Sequence, residues 1–220
     1  VRNEPKPQNA RKRKGEEKEV SGASDRDFCL SLVALPHNNA RISARQRQNL
    51  KSPGTATPDH RSRERNLFNI LGARVVDANV LDLFAGAGSV GIEALSRGAR
   101  HATFVELDRE ALRAIRKNLE LTRLYDRARI VREDVFRFIR KSAGEKYDLV
   151  YIAPPQYKEL WSEALKTLDG RGLLSERGII VAQIHPKEFR AFEFTEFVLA
   201  DQRKYGSTML CFYGSAHKIS

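Results

Sequence analysis

The stretch Val80-Leu-Asp-Leu-Phe-Ala-Gly-Ala-Gly-Ser-Val-Gly91 constrains the fold more than any other part of the chain. An apolar run of strand length enters three glycines, Gly86, Gly88 and Gly91, and an amphipathic segment follows. Glycines at such a junction permit a tight turn and let a ligand touch the backbone. Alone, G-x-G-x-x-G is a weak signal that also fits a dinucleotide site. Two acids change the reading. Asp82 lies at the strand end, four residues before Gly86. A carboxylate there repels a pyrophosphate but can organise the loop or hold a cationic ligand. Glu106 comes 18 residues after Gly88, at the end of the next apolar run. In a strand–turn–helix unit that position can accept both hydroxyls of a ribose.

From Leu67 onward apolar runs alternate with amphipathic ones. Expected strands are 80–84, 102–106, 129–132, 147–152, 178–183, 194–199 and 207–213, and expected helices are 63–71, 88–97, 109–121, 134–141 and 158–168. In the third helix Leu112, Ile115 and Leu119 recur at helical spacing while Arg109, Arg113, Arg116 and Lys117 point elsewhere. Gly98 sits where a left-handed helix stop belongs. Alternation of this kind predicts an α/β fold with a mostly parallel sheet, covered by helices on both faces. The last two runs lack a helix between them, so they are expected to pair antiparallel.

Composition narrows the class. The chain has 220 residues and a formal charge of +11. Residues 1–66 carry 15 Lys/Arg against 8 Asp/Glu, and residues 67–220 carry 24 against 20. A basic first third on a near-balanced domain suits a polyanion, and equally suits a solvated tail. Residues 1–66 are therefore read as a basic, largely disordered arm, and 67–216 as the domain. No apolar run approaches the ~18 residues of a membrane span. Two cysteines, Cys29 and Cys211, cannot build a disulfide framework or a cysteine-rich metal site, which suits a reducing, cytoplasmic compartment. His37, His60 and His101 have no metal-ligand spacing, so no metal is expected. The first residue is Val rather than Met, as in a fragment or processed chain, and no signal-peptide core follows it.

A third acid, Asp134 in Arg132-Glu-Asp-Val135, ends the third run. Acids at three successive strand ends face the crevice where open α/β sheets bind ligands, and each could instead be a helix cap. With Asn66-Leu-Phe-Asn-Ile-Leu71, Leu81–Gly98, Phe104-Val-Glu-Leu-Asp108, Lys117-Asn-Leu119, Tyr147–Ile152 and Pro154-Pro155 added, the segment resembles a class I S-adenosylmethionine-dependent methyltransferase. More narrowly it resembles the RsmD family, which methylates guanine N2 in small-subunit ribosomal RNA. The resemblance implies a Rossmann-like seven-stranded sheet with an antiparallel last strand. It implies S-adenosylmethionine as cofactor, with Asp82, Phe84, Ala85, Gly86 and Gly88 near its methionine part. Glu106 and Leu107 would then meet the ribose, and Asp134 and Val135 the adenine. The implied partner is small-subunit ribosomal RNA or a 30S-type particle, met by a monomer in the cytoplasm without membrane attachment.

The fourth run ends Ala153-Pro-Pro-Gln-Tyr157. Relatives acting on exocyclic amines usually carry Asp or Asn, then Pro-Pro, then Phe or Tyr. An aromatic amine is a poor nucleophile because its lone pair enters the ring. Oxygen acceptors at its hydrogens favour a more tetrahedral nitrogen, and an aromatic side chain stacks on the splayed base. Here Ala153 replaces the acid or amide, and Gln156 takes the aromatic slot. Gln156 and Tyr157 can supply the acceptor and the stacking face. Backbone carbonyls of Ala153 and Pro154, beside Pro155, can suffice. The site can also bind without transferring. A DNA amine methyltransferase of the adenine-N6 type is the alternative enzyme reading. Upstream, Pro53-Gly-Thr-Ala-Thr57 and Arg63-Glu64 are fragments of the family's entry loop at disturbed spacing, and residues 1–50 show no match, as in a divergent arm or an aberrant N-terminus. Trp161 reads as core, His185 as a loop histidine, and Arg203-Lys-Tyr205 as a basic turn that could touch phosphate.

Overall fold

A computed structural model describes residues 66–142, 144–156 and 158–216. The basic arm, Cys29, the Pro53–Glu64 stretch and Tyr157 lie outside the described residues. Residues 66–71 are helical, matching the end of the expected first helix. Seven strands follow: β1 Asn79–Leu83, β2 His101–Glu106, β3 Ala128–Arg132, β4 Tyr147–Ile152, β5 Leu174–Ile184, β6 Phe197–Tyr205 and β7 Thr208–Ser215. Four helices connect them: α1 Ser89–Ser96, α2 Arg109–Thr122, α3 Val135–Lys141 and α4 Leu160–Leu168.

The strands form one sheet in the order β3-β2-β1-β4-β5-β7-β6. β1 pairs parallel with both β2 and β4, and β5 and β6 pair antiparallel with β7. The chain builds outward from β1 through β2 to β3, then returns to the other side of β1 with β4. The seam between β1 and β4 is thus the topological switch point, where such sheets open a crevice at the carboxyl ends.

Strand alternation divides the core in two. Val80, Phe104, Leu149, Tyr151, Val181 and Phe212 face residues 67–71, α1 and α2. Leu81, Val105, Val150, Ile152, Ala182 and Tyr213 face α3 and α4. The second layer extends into an aromatic group after β5. Trp161 on α4 stacks on Phe189 with centroids 6.5 Å apart and meets Phe192 edge-on at 5.6 Å. Trp161 is only 2% exposed, as a core residue should be.

Two elements differ from the expectation. β5 begins at Leu174, earlier than the apolar run, because its first residues are polar and partly exposed. The sixth strand, expected at 194–199, runs from Phe197 to Tyr205. Its second half, Asp201-Gln-Arg-Lys204, is exposed edge backbone with no apolar alternation to reveal it. Phe194 instead joins the aromatic group, 4.6 Å from Phe197.

Candidate active site

β1 ends at Leu83, and the next residue, Phe84, takes φ 59°. A left-handed conformation at a bulky residue is strained and marks a fixed turn. Its ring meets Phe136 edge-on, with centroids 6.2 Å apart. The loop is then pinned from three sides. Ala85 N–H donates to the Val105 carbonyl at 3.1 Å, and Gly88 N–H to the Ala85 carbonyl at 2.8 Å. Asn118, buried on α2, donates from Nδ2 to the Ala87 carbonyl at 3.1 Å. Gly86 has φ 53°, and a Cβ there would meet nothing within 4 Å, so its backbone faces open space. Gly91 serves packing: a Cβ would lie 2.3 Å from Phe104 Cε1, so α1 approaches β2 only because the side chain is missing.

The three acids have distinct settings. Asp82 is 2% exposed, and its Oδ2 accepts from Gly91 N–H at 3.0 Å, tying β1 to the first turn of α1. Glu106 Oε2 accepts from Gly86 N–H at 2.8 Å, while Oε1 accepts from Leu107 N–H at 2.7 Å and Asp108 N–H at 2.9 Å. A carboxylate has about four lone-pair positions, so Glu106 retains room for a hydroxyl while locking the loop. Asp134 accepts from Arg137 N–H at 2.9 Å and caps α3, with Val135 buried behind it. Leu107 stands 56% exposed at the same edge.

Across the seam lies the Pro-Pro loop. Ala153 and Pro154 are half-buried, and Pro155 and Gln156 are exposed. The β4–β5 register pairs Ile152 with Ala182, which sets Ala153 level with Gln183 on the face shared with Tyr151. There the Tyr151 hydroxyl donates to Gln183 Oε1 at 2.7 Å. His185, just beyond β5, accepts from Lys187 N–H through Nδ1 at 3.2 Å and caps a short turn.

Sequence reading placed the glycine loop, Glu106 and the Pro-Pro loop at one sheet edge, and the structure brings them there. In the sequence reading Asn118 and Tyr151 stand only inside matching words, without a role, and Gln183 has none. The signal for Asn118 was a polar residue inside the Leu112–Ile115–Leu119 stripe. Tyr151 and Gln183 gave none, because the β4–β5 register joins them.

Several groups with displaced pKa values lie away from this sheet edge. At the opposite edge the Tyr147 hydroxyl donates to Glu145, which, with Arg129, holds that carboxyl below its usual range. Burial and then Glu145 push the Tyr147 hydroxyl up. Burial, with Arg129 nearby, pushes His101 below its ordinary 6.5. Cys211, buried in β7, is pushed up to about 12 by burial. A groove beside Lys146, Asp148, Ser175 and Glu196 also lies at that edge. Two of its acids bond inward: Asp148 accepts from Asn79 N–H and Ser175 Oγ, and Glu196 from Gly172 N–H.

Glycine loop, ribose-height carboxylate and parallel-to-antiparallel sheet together define the class of S-adenosylmethionine-dependent methyltransferases. The donor set fits that cofactor: open backbone at Gly86, carboxylates for a cation and hydroxyls, and a carboxylate where a pyrophosphate would come close. Residues 42–214 match the family described as "Conserved hypothetical protein 95", and the chain belongs to it. It is 36% identical over 165 residues to the Bacillus subtilis protein named "Putative rRNA methyltransferase YlbH", a match covering 73% of this chain and 89% of that one. It is 36% identical over 132 residues to "Ribosomal RNA small subunit methyltransferase D" of Escherichia coli, covering 60% of this chain and 65% of the relative. Among solved structures it resembles Escherichia coli yhhF at 29% identity, with TM-score 0.66, covering 76% of this chain and 90% of the other. A Thermus thermophilus protein, TTHA0928, gives 32% identity and TM-score 0.61, covering 74% and 91%.

Proposed function

We propose that the chain methylates the exocyclic N2 amine of a guanine in small-subunit ribosomal RNA. The observation that carries this reading is the meeting of the glycine loop and Ala153-Pro154-Pro155 across the β1–β4 seam. When bound, S-adenosylmethionine supplies a sulfonium methyl that an amine lone pair can take, the sulfur keeping the bonding electrons and the amine giving a proton to water. In this reading Asp82, Phe84, Ala85, Gly86 and Gly88 surround the methionine part. Glu106 and Leu107 hold the ribose, and Asp134 and Val135 border the adenine. Carbonyls of Ala153 and Pro154 accept the amine hydrogens, Pro155 stiffens the loop, and Gln156 and Tyr157 flank the base. Orientation is then the main source of rate.

The names of the relatives support an RNA substrate, and the charge layout agrees with it. Lys158, Lys187, Arg203 and Lys204 are exposed on the acceptor side of the sheet edge. Tyr205 pairs with Thr208 and Met209 with Ile184, so the β6–β7 turn reaches the same edge as the end of β5. In this reading the turn and the arm of residues 1–66 hold phosphates around the target. Methyl transfer from labelled S-adenosylmethionine tests it, with unmodified small subunits, naked ribosomal RNA and duplex DNA as acceptors. Label on guanine N2 of the subunit or its RNA is the expected result. Label on DNA alone moves the assignment to an adenine-N6 type enzyme. Cofactor binding without any label favours a site that binds without transferring, and makes residues 1–66 the next to test.

A further inference from the structure

We infer that the Gln183 side-chain amide reads the edge of the target base, with Tyr151 as the residue that positions it; this rests on the amine-methylating reading above. Gln183 stands level with Ala153 at the end of the adjoining strand and on the same face of the sheet. Ala153 offers no polar side-chain atom at the acceptor site, and Gln183 brings a side-chain amide to that face. It is half-exposed, and its Oε1 takes the hydroxyl proton of Tyr151 at 2.7 Å. Tyr151 is 5% exposed, so the anchor is set in the core. Among the described residues, nothing accepts from Gln183 Nε2.

This arrangement has a chemical consequence. A free glutamine amide rotates and gains little by binding, because its ordering is paid at contact. Here the hydroxyl of a core tyrosine holds the amide in place by donating to its oxygen. The carbonyl oxygen keeps a second lone pair. Acceptor and donor therefore stand side by side, with no acceptor for the donor among the described residues. Guanine offers the complement at ring N3 and the N2–H on that side, a hydrogen that Oε1 shares with a carbonyl of the Pro-Pro loop. A hydrogen bond to N2–H lies in the ring plane and leaves the lone pair above it open to the methyl group.

Three proteins decide the matter: the full chain, Gln183→Leu and Tyr151→Phe. Each is assayed with small subunits for kcat and KM, and separately for thermal unfolding and S-adenosylhomocysteine affinity. Gln183→Leu should lower kcat/KM about tenfold to a hundredfold with cofactor affinity unchanged. Tyr151→Phe should give a smaller loss in the same direction, since the amide remains but is no longer held. Equal kcat/KM for Gln183→Leu and the full chain overturns the inference and leaves the proposed reaction standing. A second readout does not depend on turnover. The side-chain NH₂ resonances of Gln183, assigned by their loss in Gln183→Leu, should shift when a guanosine-containing oligoribonucleotide meets the S-adenosylhomocysteine-loaded protein. Unmoved resonances overturn the contact, whatever the label shows. A full chain that labels no RNA overturns the proposed reaction, and the resonances then decide the contact alone.

Discussion

At the ends of β1 and β2 every polar group used by the site is tied to backbone. Asp82 holds Gly91, Glu106 holds three N–H groups, and Asn118 holds the Ala87 carbonyl. At the ends of β4 and β5 the pattern reverses. Pro155 and Gln156 are exposed, and Lys158, Lys187, Arg203 and Lys204 stand exposed along the same edge. One half is fixed before any ligand arrives, and the other leaves its surface to the ligand. The difference follows the two jobs. A small cofactor of constant shape rewards a rigid cradle, while a strand of RNA is gripped through many weak phosphate contacts.

Substitutions on each side can break or sharpen this contrast. The largest effect is expected from Glu106→Ala, which frees three backbone donors and removes the ribose-height carboxylate. Cofactor affinity, read by calorimetry, should fall at least about a hundredfold. If it falls no more than for a substitution in the Pro-Pro loop, the two halves are not built differently. Gly91→Ala comes next. The added methyl meets Phe104 and should cost about 1–3 kcal/mol in urea unfolding, with α1 pushed from β2. Asn118→Leu removes the tie to Ala87 from a buried position, and should lower cofactor affinity about tenfold. On the open side, Gln156→Ala should change stability by less than about 0.5 kcal/mol, because the side chain is exposed. A stability loss there comparable to that of Gly91→Ala would erase the contrast.

The smallest effect lies at the far edge of the sheet. The folded state holds His101 below its ordinary value and Glu145 below the carboxylate range. A depressed group binds fewer protons folded than unfolded, so its contribution is present above the unfolded pKa and fades as pH falls through the folded one. Unfolding temperature should therefore begin to drop as pH falls below 6.5 for His101, and again in the acid range for Glu145. His101→Asn should flatten only the first part of that curve, leaving cofactor binding at neutral pH unchanged.

How much of this was legible in the sequence depends on whether the signal is local. β1 to β4 and α1 to α3 fell close to expectation because each writes its period into consecutive residues. The glycine loop announced itself in the same way, and so did Glu106 at the end of β2. Charged edge strands do not: the second half of β6 buries almost nothing on either face. Asp134 was legible as a strand-end acid, but its bond to Arg137 N–H shows it capping α3, a role that the same sequence serves equally well. The Tyr151–Gln183 bond spans 32 residues and exists only through strand register. No motif carries that kind of information, because pairing of β4 with β5 is settled by the whole sheet.

β6, so poorly marked in the sequence, has a consequence for how copies of the protein meet. Among the described residues, the outermost strands of the sheet are β3 and β6. Arg129 and Arg132 stand exposed on the first, and Arg203 and Lys204 on the second. A foreign strand seeking to extend the sheet at either margin must strip water from these cations and from the carboxylates that pair with Arg129 and Arg203. That toll disfavours edge-to-edge stacking when the protein is crowded.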